Sequence, residues 1–397
     1  MHVHRSSPIT AHGLQTVVGH SDEIDSVDAI HAVIDQCERE LAGRQPTAGV
    51  LFASVDYDHQ ALVDAVSRRW PTVPLIGGTT DGEMSKRNGF TRDSVLLTLL
   101  TGDGIRVSAG RGLALSTDVP RAVEEALAQI DEREPTLCIA LCAPTANSSA
   151  IVRELQSRLG EGCVIAGGLT ADHREYSRSA EFCRDEVLRD SLTLLVLGGG
   201  IRSSVGIGSG WFPVGNAQRV TRSNGHVVQE IDGKPAAEVF RHYWGHLPED
   251  SLGEYPLAVY ENGLDAPCVL RAPLGMWGEH GEIRFAGEVR EGSFVRLTEV
   301  LPEGILSGTR QSVENAIAAY PGEQPELVML FSCAARKWVL GSQVEQELDL
   351  ARRALADTRG ALTPIVGMYC FGEIAPLPGE VRSSFHNETC ITLVLGR

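Results

Sequence analysis

Two glutamates occupy matching places in the chain, and their carboxyl groups are the first feature of the sequence that could do chemistry. Glu83 follows a glycine in Asp-Gly-Glu, and Glu373 follows a glycine in Phe-Gly-Glu. Such carboxylates can receive an amine or hydroxyls, cap neighbouring backbone, or divide acid and base roles in a hydrolase. We expect ligand orientation or structural hydrogen bonding, and a hydrolase using Glu83 or Glu373 is the alternative.

Three glycine-rich segments, each following an apolar run, are the second such feature. Glycine lets the backbone approach a ligand closely, and successive free N–H groups can form a concavity for an anion. Ligands bind at strand ends in α/β sheets, so three equivalent turns predict one shared pocket. The alternative is that these glycines only make tight turns and allow close packing of helix on sheet. The predicted ligand-binding residues of these segments are Gly77, Gly78, Thr79, Thr80, Gly82, Gly167, Gly168, Thr170 and Gly372.

Aromatic and polar side chains near the segments complete the predicted site. Tyr369 and Phe371 flank the third segment and could wall a pocket, although core packing explains them equally well. His386 and Asn387 stand just before the last apolar run, and His173 follows the second segment. The histidines have no evident set of further ligands around them, so we predict no metal site.

Internal repetition indicates how these residues are positioned. Three units each open with a β-like apolar run, continue into an amphipathic segment with helical spacing, and enter a second apolar stretch that ends in the glycines. The first two units close with paired apolar runs joined by Gly and Asp residues, which predict β-hairpins at 92–107 and 189–203. We predict an α/β fold in which repeated strand–helix–strand–strand units form mixed sheets.

The stretch between the second and third units has a different pattern of apolar residues and turns. Residues 268–300 alternate short apolar runs with turns, which predicts an antiparallel β insert in the C-terminal half. We divide the chain into an N-terminal segment at 1–44, a first domain at 45–236 and a second domain at 237–397.

Composition excludes several classes of protein. The 397 residues carry 35 Lys and Arg against 52 Asp and Glu, a net charge of −17, so we expect neither a nucleic acid nor a membrane surface as partner. No apolar run approaches the roughly 18 residues of a membrane span. The nine cysteines are few for a chain of this length, and they form no Cys-x-x-Cys pair, which favours a reduced, cytoplasmic compartment.

Several motifs together resemble the FIST (F-box and intracellular signal transduction) family over residues 45–390. They are Gly77-Gly78-Thr79-Thr80-Asp81-Gly82-Glu83, Gly210-Trp211-Phe212-Pro213-Val214, Glu230-Ile231-Asp232-Gly233-Lys234-Pro235-Ala236, Phe371-Gly372-Glu373-Ile374-Ala375-Pro376 and Phe385-His386-Asn387-Glu388-Thr389. The resemblance implies an N-terminal and a C-terminal FIST domain. It also implies a bacterial sensory protein that binds a small ligand, for which amino acids have been suggested.

The resemblance does not decide whether the protein binds a cofactor. The cofactor is unknown, but a nitric-oxide-sensing (NosP-type) subgroup of the family binds haem, for which His386 and His173 are the predicted axial ligands. Our hypothesis is a cytoplasmic sensor that is not an enzyme and signals to a separate partner, such as a histidine kinase or a cyclic-dinucleotide enzyme. The alternatives are a haem-binding nitric oxide sensor and a hydrolase; the oligomeric state is open.

Overall fold

The computed structural model describes residues 13–144, 147–245, 249–277, 280–356, 358 and 361–397. Three pseudo-equivalent units form its core, and each begins with a strand that leads into a helix. Asp25, Asp58, Asp118 and Asn147 cap the first four helices with their side chains, which fixes where each helix starts. The first unit comprises β1 (Gln15–Ser21), α1 (Ser26–Leu41), β2 (Ala48–Ser54), α2 (His59–Arg69), β3 (Leu75–Thr80), β4 (Glu83–Ser85), β5 (Gly89–Thr91) and β6 (Val95–Thr101).

The second unit repeats this order, and the third begins in the same way before a large insert interrupts it. The second unit comprises β7 (Arg106–Leu113), α3 (Val119–Leu127), β8 (Leu137–Cys142), α4 (Ser148–Leu159), β9 (Val164–Leu169), β10 (Glu181–Cys183), β11 (Glu186–Leu188) and β12 (Ser191–Gly198), and β13 (Arg202–Gly208) opens the third. The insert comprises β14 (Phe212–Asn224), β15 (Val227–Ile231), β16 (Lys234–Pro235), α5 (Ala236–Trp244), β17 (Leu257–Tyr260), β18 (Val269–Arg271), β19 (Pro273–Trp277), β20 (Glu282–Phe285) and β21 (Phe294–Glu299).

The third unit resumes after the insert. It comprises α6 (Pro302–Ala319), β22 (Pro325–Cys333), α7 (Ala334–Leu340), α8 (Glu345–Ala356), β23 (Ile365–Cys370), β24 (Glu373–Pro376), β25 (Ser383–His386) and β26 (Cys390–Gly396). The strands of the insert pair antiparallel throughout the described residues, in the order β18-β17-β21-β14-β15-β20-β19 with β16 on β15. The predicted fold class, repeated units in mixed sheets with an antiparallel insert, is confirmed.

Each core sheet combines two units. The orders are β1-β6-β2-β3-β10-β11, β7-β12-β8-β9-β24-β25 and β13-β26-β22-β23-β4-β5. The short hairpin of every unit therefore extends the sheet of a neighbouring unit, and the exchange closes in a circle. Among the residues that the structure describes, each of these sheets has one parallel pair: β2 with β3, β8 with β9, and β22 with β23.

Two local predictions from the sequence are wrong. The runs at 92–107 and 189–203 do not form hairpins: β6 pairs with β1 and β2 while β7 pairs with β12, and β12 and β13 likewise lie in different sheets. The glycine turns there connect successive units. A turn reverses the chain, but the pairing partner of a strand is decided by the sheet edge that burial offers it.

The inner faces of the three sheets share one apolar core, and helices cover their outer faces. Phe52, Leu141 and Phe331 come from β2, β8 and β22 and belong to the same central cluster. Complete burial of such a side chain contributes about 1.5–3 kcal/mol. The segment 15–41, which we assigned to a separate N-terminal segment, contributes β1 and α1 to the first unit.

Candidate functional site

The three glycine-rich segments meet one another in a closed ring of backbone hydrogen bonds. In each, an N–H just beyond the parallel strand donates to a carbonyl of the neighbouring unit. The bonds run from Asp81 N–H to Tyr369 O (2.8 Å), from Phe371 N–H to Leu169 O (3.3 Å) and from Ala171 N–H to Thr79 O (2.9 Å). The segments meet, as predicted, but these backbone N–H groups donate to carbonyl groups of the neighbouring segments and not to a ligand.

The paired glycines lie inside strands β3 and β9 and are buried. A Cβ on Gly77 would lie 2.0 Å from the Leu51 carbonyl oxygen, and one on Gly167 would lie 2.0 Å from that of Ala140. These glycines are therefore strand residues and not the predicted turn residues, and the close packing named in the alternative is present, because carbonyl groups of the neighbouring strand fill the space beside Gly77 and Gly167. Gly82 (φ 129°) does need the backbone freedom of glycine, since it turns the chain from β3 into β4.

Three glutamates occupy equivalent places behind the ring. Glu83, Glu181 and Glu373 begin β4, β10 and β24, and each is fully buried. Each carboxylate accepts hydrogen bonds from hydroxyl groups. The donors are Thr80 and Ser94 (2.6 Å) for Glu83, Thr170 and Ser191 (both 2.7 Å) for Glu181, and Thr389 (2.6 Å) for Glu373. Sequence reasoning missed Glu181 because the loop 172–179 separates it from its glycine segment.

Burial keeps Glu83 and Glu373 mostly protonated near pH 7 and leaves Glu181 about half protonated. It raises the pKa of Glu83 to about 8, that of Glu373 to about 8 and that of Glu181 to about 7, and the hydroxyl donors only partly offset it. Both glutamates of the predicted hydrolase are thus enclosed, and their carboxyl groups join the short hairpins to neighbouring strands. Structural hydrogen bonding, one of the two roles expected for them, describes their contacts.

A charged cluster covers the outer side of the ring. Asp81 binds the His173 imidazole through Nδ1 (2.7 Å) and the Lys337 ammonium (2.9 Å), while His173 Nε2 lies 3.2 Å from Asp93 and 3.3 Å from the Ser54 hydroxyl. The hydrogen bond to Asp81 raises the pKa of His173. Burial by itself would raise the pKa of Asp81, but His173 and Lys337 outweigh it and hold that pKa below its usual value.

The two histidines predicted as haem ligands do not fit that cofactor. An axial ligand needs a ring nitrogen directed at the iron and a flat apolar slot beside it. Both nitrogens of His173 bond to carboxylates, with Ser54 beside one of them. His386 is 2% exposed, its Nε2 bonds to the Ala375 carbonyl (2.9 Å), and burial lowers its pKa to about 4. We derive no chemistry through haem.

The loop 172–179 is organised by one buried carboxylate. Asp172 is fully buried, and its oxygens accept the backbone N–H groups of Tyr176 (2.8 Å), Ser177 (2.8 Å), Arg178 (2.7 Å) and Ser179 (3.2 Å). Hydrogen bonds to a charged acceptor are worth about 1.5–3 kcal/mol each. Asp172 therefore holds the loop that carries His173 and Tyr176.

Replacing Asp172 by Ala should open this loop, because four N–H groups lose their acceptor together. We expect a stability loss of about 2 kcal/mol or more, part of the loss being recovered by hydration of the freed N–H groups. Hydrogen exchange of residues 173–179 should accelerate at least tenfold. Asp185→Ala, at an exposed turn, is the control and should leave both unchanged. Unchanged exchange in the Asp172 variant would contradict this role.

A cavity of about 270 Å³ lies where the insert meets the second and third units. Leu169 and Tyr176 line it from the second unit, Phe371 from the third, and Leu274 and Ala286 from the insert. Its polar lining includes Ser116, Asn147, His226 and Arg284. Burial, reinforced by the Arg284 charge, lowers the pKa of His226, so the guanidinium is the cation of this cavity near pH 7.

A second, smaller cavity of about 40 Å³ adjoins the first and shares Tyr176, Leu274, Ala286 and Phe371 with it. Tyr176 stacks on Phe371 with ring centroids 4.9 Å apart. Beyond this aromatic pair the smaller cavity is lined by further groups: Cys333, Ala334, Ala335, Trp338, Asn387 and Glu388. Of the predicted ligand residues, Phe371 and Asn387 therefore border a cavity, whereas Gly77 and Gly167 pack against backbone and Gly82 and Gly372 pack against phenylalanine rings.

Sequence reasoning missed most of this lining. Tyr176, Trp338 and Arg284 do not belong to any motif identified in the sequence. Leu274 and Ala286 come from the insert, for which the sequence predicted antiparallel strands but no binding residues. Glu388 had a signal, since it stands beside Asn387 in the motif Phe385-His386-Asn387-Glu388-Thr389.

Comparison with known families agrees with this architecture. Residues 47–234 match the FIST N domain, and residues 236–376 match the FIST C domain. The chain belongs to the FIST family. FIST domains are sensory domains of signal transduction. The first strands of the insert, β14 and β15, lie within the FIST N match, whereas α5 to β21 of the insert and the third unit up to residue 376 lie within the FIST C match. The cavity is therefore formed by both FIST domains.

Similar proteins occur in Mycobacterium tuberculosis, Mycobacterium bovis and Methanocaldococcus jannaschii. The uncharacterized protein Rv0628c of Mycobacterium tuberculosis is 26% identical over 384 residues, which cover 91% of this chain and 95% of the relative. The uncharacterized protein Mb0898c of Mycobacterium bovis is 25% identical over 91% of this chain and 94% of its own length. The uncharacterized protein MJ1623 of Methanocaldococcus jannaschii is 22% identical over 72% of this chain and 59% of its own length.

Among solved structures, cyanuric acid hydrolase from A. caulinodans aligns over 96% of this FIST chain and 98% of its own, with a TM-score of 0.35 and 9% identity. A second cyanuric acid hydrolase structure aligns with a TM-score of 0.34 and 9% identity, over 97% of this chain and all of its own. Within the described residues, every helix is too short or too polar to cross a bilayer.

Proposed function

We propose that this FIST protein is a cytoplasmic sensor that binds a small ligand in the cavity between the insert and the core and signals to a separate protein. The observation that carries the proposal is the position of the 270 Å³ cavity, whose lining comes from the second unit, the third unit and the insert together. Its volume is near the lower end of the roughly 300–1,000 Å³ usual for ligand pockets, which suits a small metabolite.

Such a position gives the ligand a way to change the protein. A ligand shifts a conformational equilibrium only by binding one state more tightly than another. One that contacts the insert and both units favours the arrangement in which these surfaces come together. The partner, for which the family suggests a histidine kinase or a cyclic-dinucleotide enzyme, would read that arrangement. The nine cysteines are all free thiols, which supports the cytoplasm as the compartment.

Thermal unfolding in the presence of amino acids and small metabolites tests the proposal. A ligand at 100 times its dissociation constant stabilises the folded state by about 2.7 kcal/mol, so a matching compound should raise the Tm by a few degrees. Ala286→Phe fills the cavity and should abolish the rise. Ala128→Phe, the same exchange at an exposed helix end, should keep it. A screen without any stabilising compound, or a rise that survives in Ala286→Phe, would refute binding in this cavity.

A further inference from the structure

The smaller cavity contains a buried carboxyl group with an unused oxygen. Glu388 is 1% exposed, and its Oε2 has no hydrogen-bond partner among the described residues, although the side chain lines the cavity. A buried polar atom without a partner loses about 1–3 kcal/mol of solvation, and native proteins rarely leave one unpaired. The group is thus arranged to receive a donor from outside the chain.

The surroundings of that oxygen favour a particular donor. Tyr176, Phe371 and Trp338 line the same cavity, and the faces of aromatic rings attract cations. The lining already holds one cation in this way, because the Arg174 guanidinium lies 3.5 Å above the Trp338 ring while pairing with Glu254 at 2.8 Å. About 40 Å³ accommodates a group of the size of an ammonium ion, since a water molecule needs roughly 10–15 Å³ by the same measure.

We propose that Glu388 is the subsite for a primary ammonium group of the ligand, and that the remainder of the ligand extends past Tyr176 and Phe371 into the larger cavity. This inference rests on the proposed function, because it assigns one end of the same cavity. The step is a proton release: the ammonium enters beside the Glu388 carboxylic acid, the acid proton leaves to water, and an ammonium–carboxylate pair remains.

The charge balance around Glu388 supports that step. Burial raises the pKa of Glu388 well above its usual value, and the nearby carboxyls of Glu373 on β24 and Glu254 raise it further. The Arg336 charge on α7 and the Cys333 thiol act in the opposite direction. Burial and these carboxyls therefore favour the protonated acid in the empty cavity, and an arriving cation supplies the opposite charge that favours ionisation. The affinity for an ammonium should consequently rise with pH, by up to about tenfold per pH unit.

Calorimetric titration of the full chain with n-propylammonium tests the assignment. Titrations at pH 7 in phosphate and in HEPES, neither of which contains a primary ammonium group, should give binding heats that differ by the heat of passing close to one released proton per site to each buffer. The neutral 1-propanol and tetramethylammonium, which has no N–H donor, should bind at least tenfold more weakly. If both bind as well as n-propylammonium, or if no proton is released, the inference is wrong. If none of the three compounds binds, the inference is also wrong, and the Glu388 oxygen accepts its hydrogen bond from water.

Two variants and a control locate the binding. Glu388→Gln keeps the shape of the side chain and should weaken n-propylammonium at least tenfold and abolish proton release. Ala335→Leu fills the smaller cavity from α7 and should do the same. Glu261→Gln removes a carboxylate that lines a separate groove and should stay within twofold of the unmodified chain. Unchanged binding in Glu388→Gln overturns the subsite.

The outcomes also separate this inference from the proposed function. One outcome is that metabolites stabilise the chain in a way that Ala286→Phe abolishes while n-propylammonium binds Glu388→Gln as well as the unmodified chain. That result would support the sensor proposal and contradict the Glu388 subsite. If n-propylammonium depends on Glu388 while no metabolite in the screen stabilises the chain, the subsite stands and the sensor proposal falls.

Discussion

Replacing Arg336 by Met is expected to destabilise the chain by about 3–5 kcal/mol at pH 7, because it leaves a buried carboxylate without its counter-ion. Arg336 and Glu347 have no solvent-exposed side-chain surface, and Arg336 Nη2 lies 2.7 Å from Glu347 Oε1. Thr309 (2.6 Å), Ser332 (3.2 Å) and Tyr369 also donate hydroxyl hydrogen bonds to that carboxylate.

The same guanidinium connects several elements of the third unit. It donates to the carbonyl oxygens of Ser209, just after β13, and of Ile305 on α6 (2.9 Å), while Glu347 belongs to α8. Although burial alone would raise the pKa of Glu347, the Arg336 charge holds that pKa below its usual value. Without Arg336 the carboxyl should take up a proton, so the loss of stability should be smaller at pH 5 than at pH 7.

A double-mutant cycle checks this pair by denaturant unfolding. Arg336→Met combined with Glu347→Leu removes both charges and should recover most of the stability, since apolar residues of similar volume often replace a buried ion pair without loss. Arg352→Met serves as the matched control, because the ion pair of Arg352 with Asp349 is exposed and its loss should change stability by less than about 0.5 kcal/mol. Additive effects of the two single changes would show that the pair is not coupled.

The three glutamates behind the ring should make the chain lose stability as the pH rises from about 4.5 through neutrality to about 8. Their folded-state pKa values, about 8, 7 and 8 for Glu83, Glu181 and Glu373, are higher than the ordinary value of 4.5 expected in the unfolded chain. Groups of this kind stabilise fully below the unfolded pKa and lose that contribution as the pH rises through the folded pKa. Each group lowers the free energy of unfolding by roughly 1.4 kcal/mol per pH unit in that window.

The measurement belongs between pH 6.5 and 8.5. At lower pH the buried His20 and His386 act in the opposite direction, because burial lowers the pKa of each to about 4 and the folded state resists their protonation. Between pH 6.5 and 8.5 we expect the unmodified chain to lose several kcal/mol in denaturant titrations. The fall should be reversible, since it reflects ionisation and not chemical damage.

Glu83→Gln together with Glu373→Gln should remove the part of that dependence that these two acids cause, while Glu181 and Glu388, whose pKa values burial also raises, keep their parts. Glutamine keeps the shape and the hydrogen-bonding capacity of a protonated glutamate but cannot ionise, so only the contribution of Glu181 should remain among the three. Glu303→Gln, an exposed change on α6, should keep the full slope. Equal slopes in the double variant and the unmodified chain would mean that these carboxyls are already ionised at pH 6.5.

Local patterns in the sequence were sufficient for the units of this fold. The period of the apolar residues predicts the strands and helices, and the three glycine-rich segments predict equivalent units that meet. The turn residues at 102–104 and 198–200 did not predict pairing correctly, because β6 and β7, and β12 and β13, belong to different sheets. A turn constrains four residues, whereas strand pairing is decided by which sheet edges are left open after the units assemble.

The residues of the candidate site divide in the same way. Phe371 and Asn387 were predicted and border the cavities, and Glu83 and Glu373 were found by their matching places. Glu181 was not predicted, because an eight-residue loop separates it from its glycine-rich segment. Ser191 and Thr170 nevertheless donate hydrogen bonds to the Glu181 carboxylate as Ser94 and Thr80 do to that of Glu83.

By itself the sequence determined the family, the repeated α/β units, the antiparallel insert and the segments that meet at the ring, because each of these depends on the order of residue types along a short stretch. Only the tertiary structure decided that Gly77 and Gly167 pack against the backbone of neighbouring strands, that the hairpins are exchanged between units, and that the cavities form where the insert meets the core. Burial, pKa and the availability of an oxygen such as that of Glu388 depend on side chains brought together from distant parts of the chain, and residue order alone does not specify those distances.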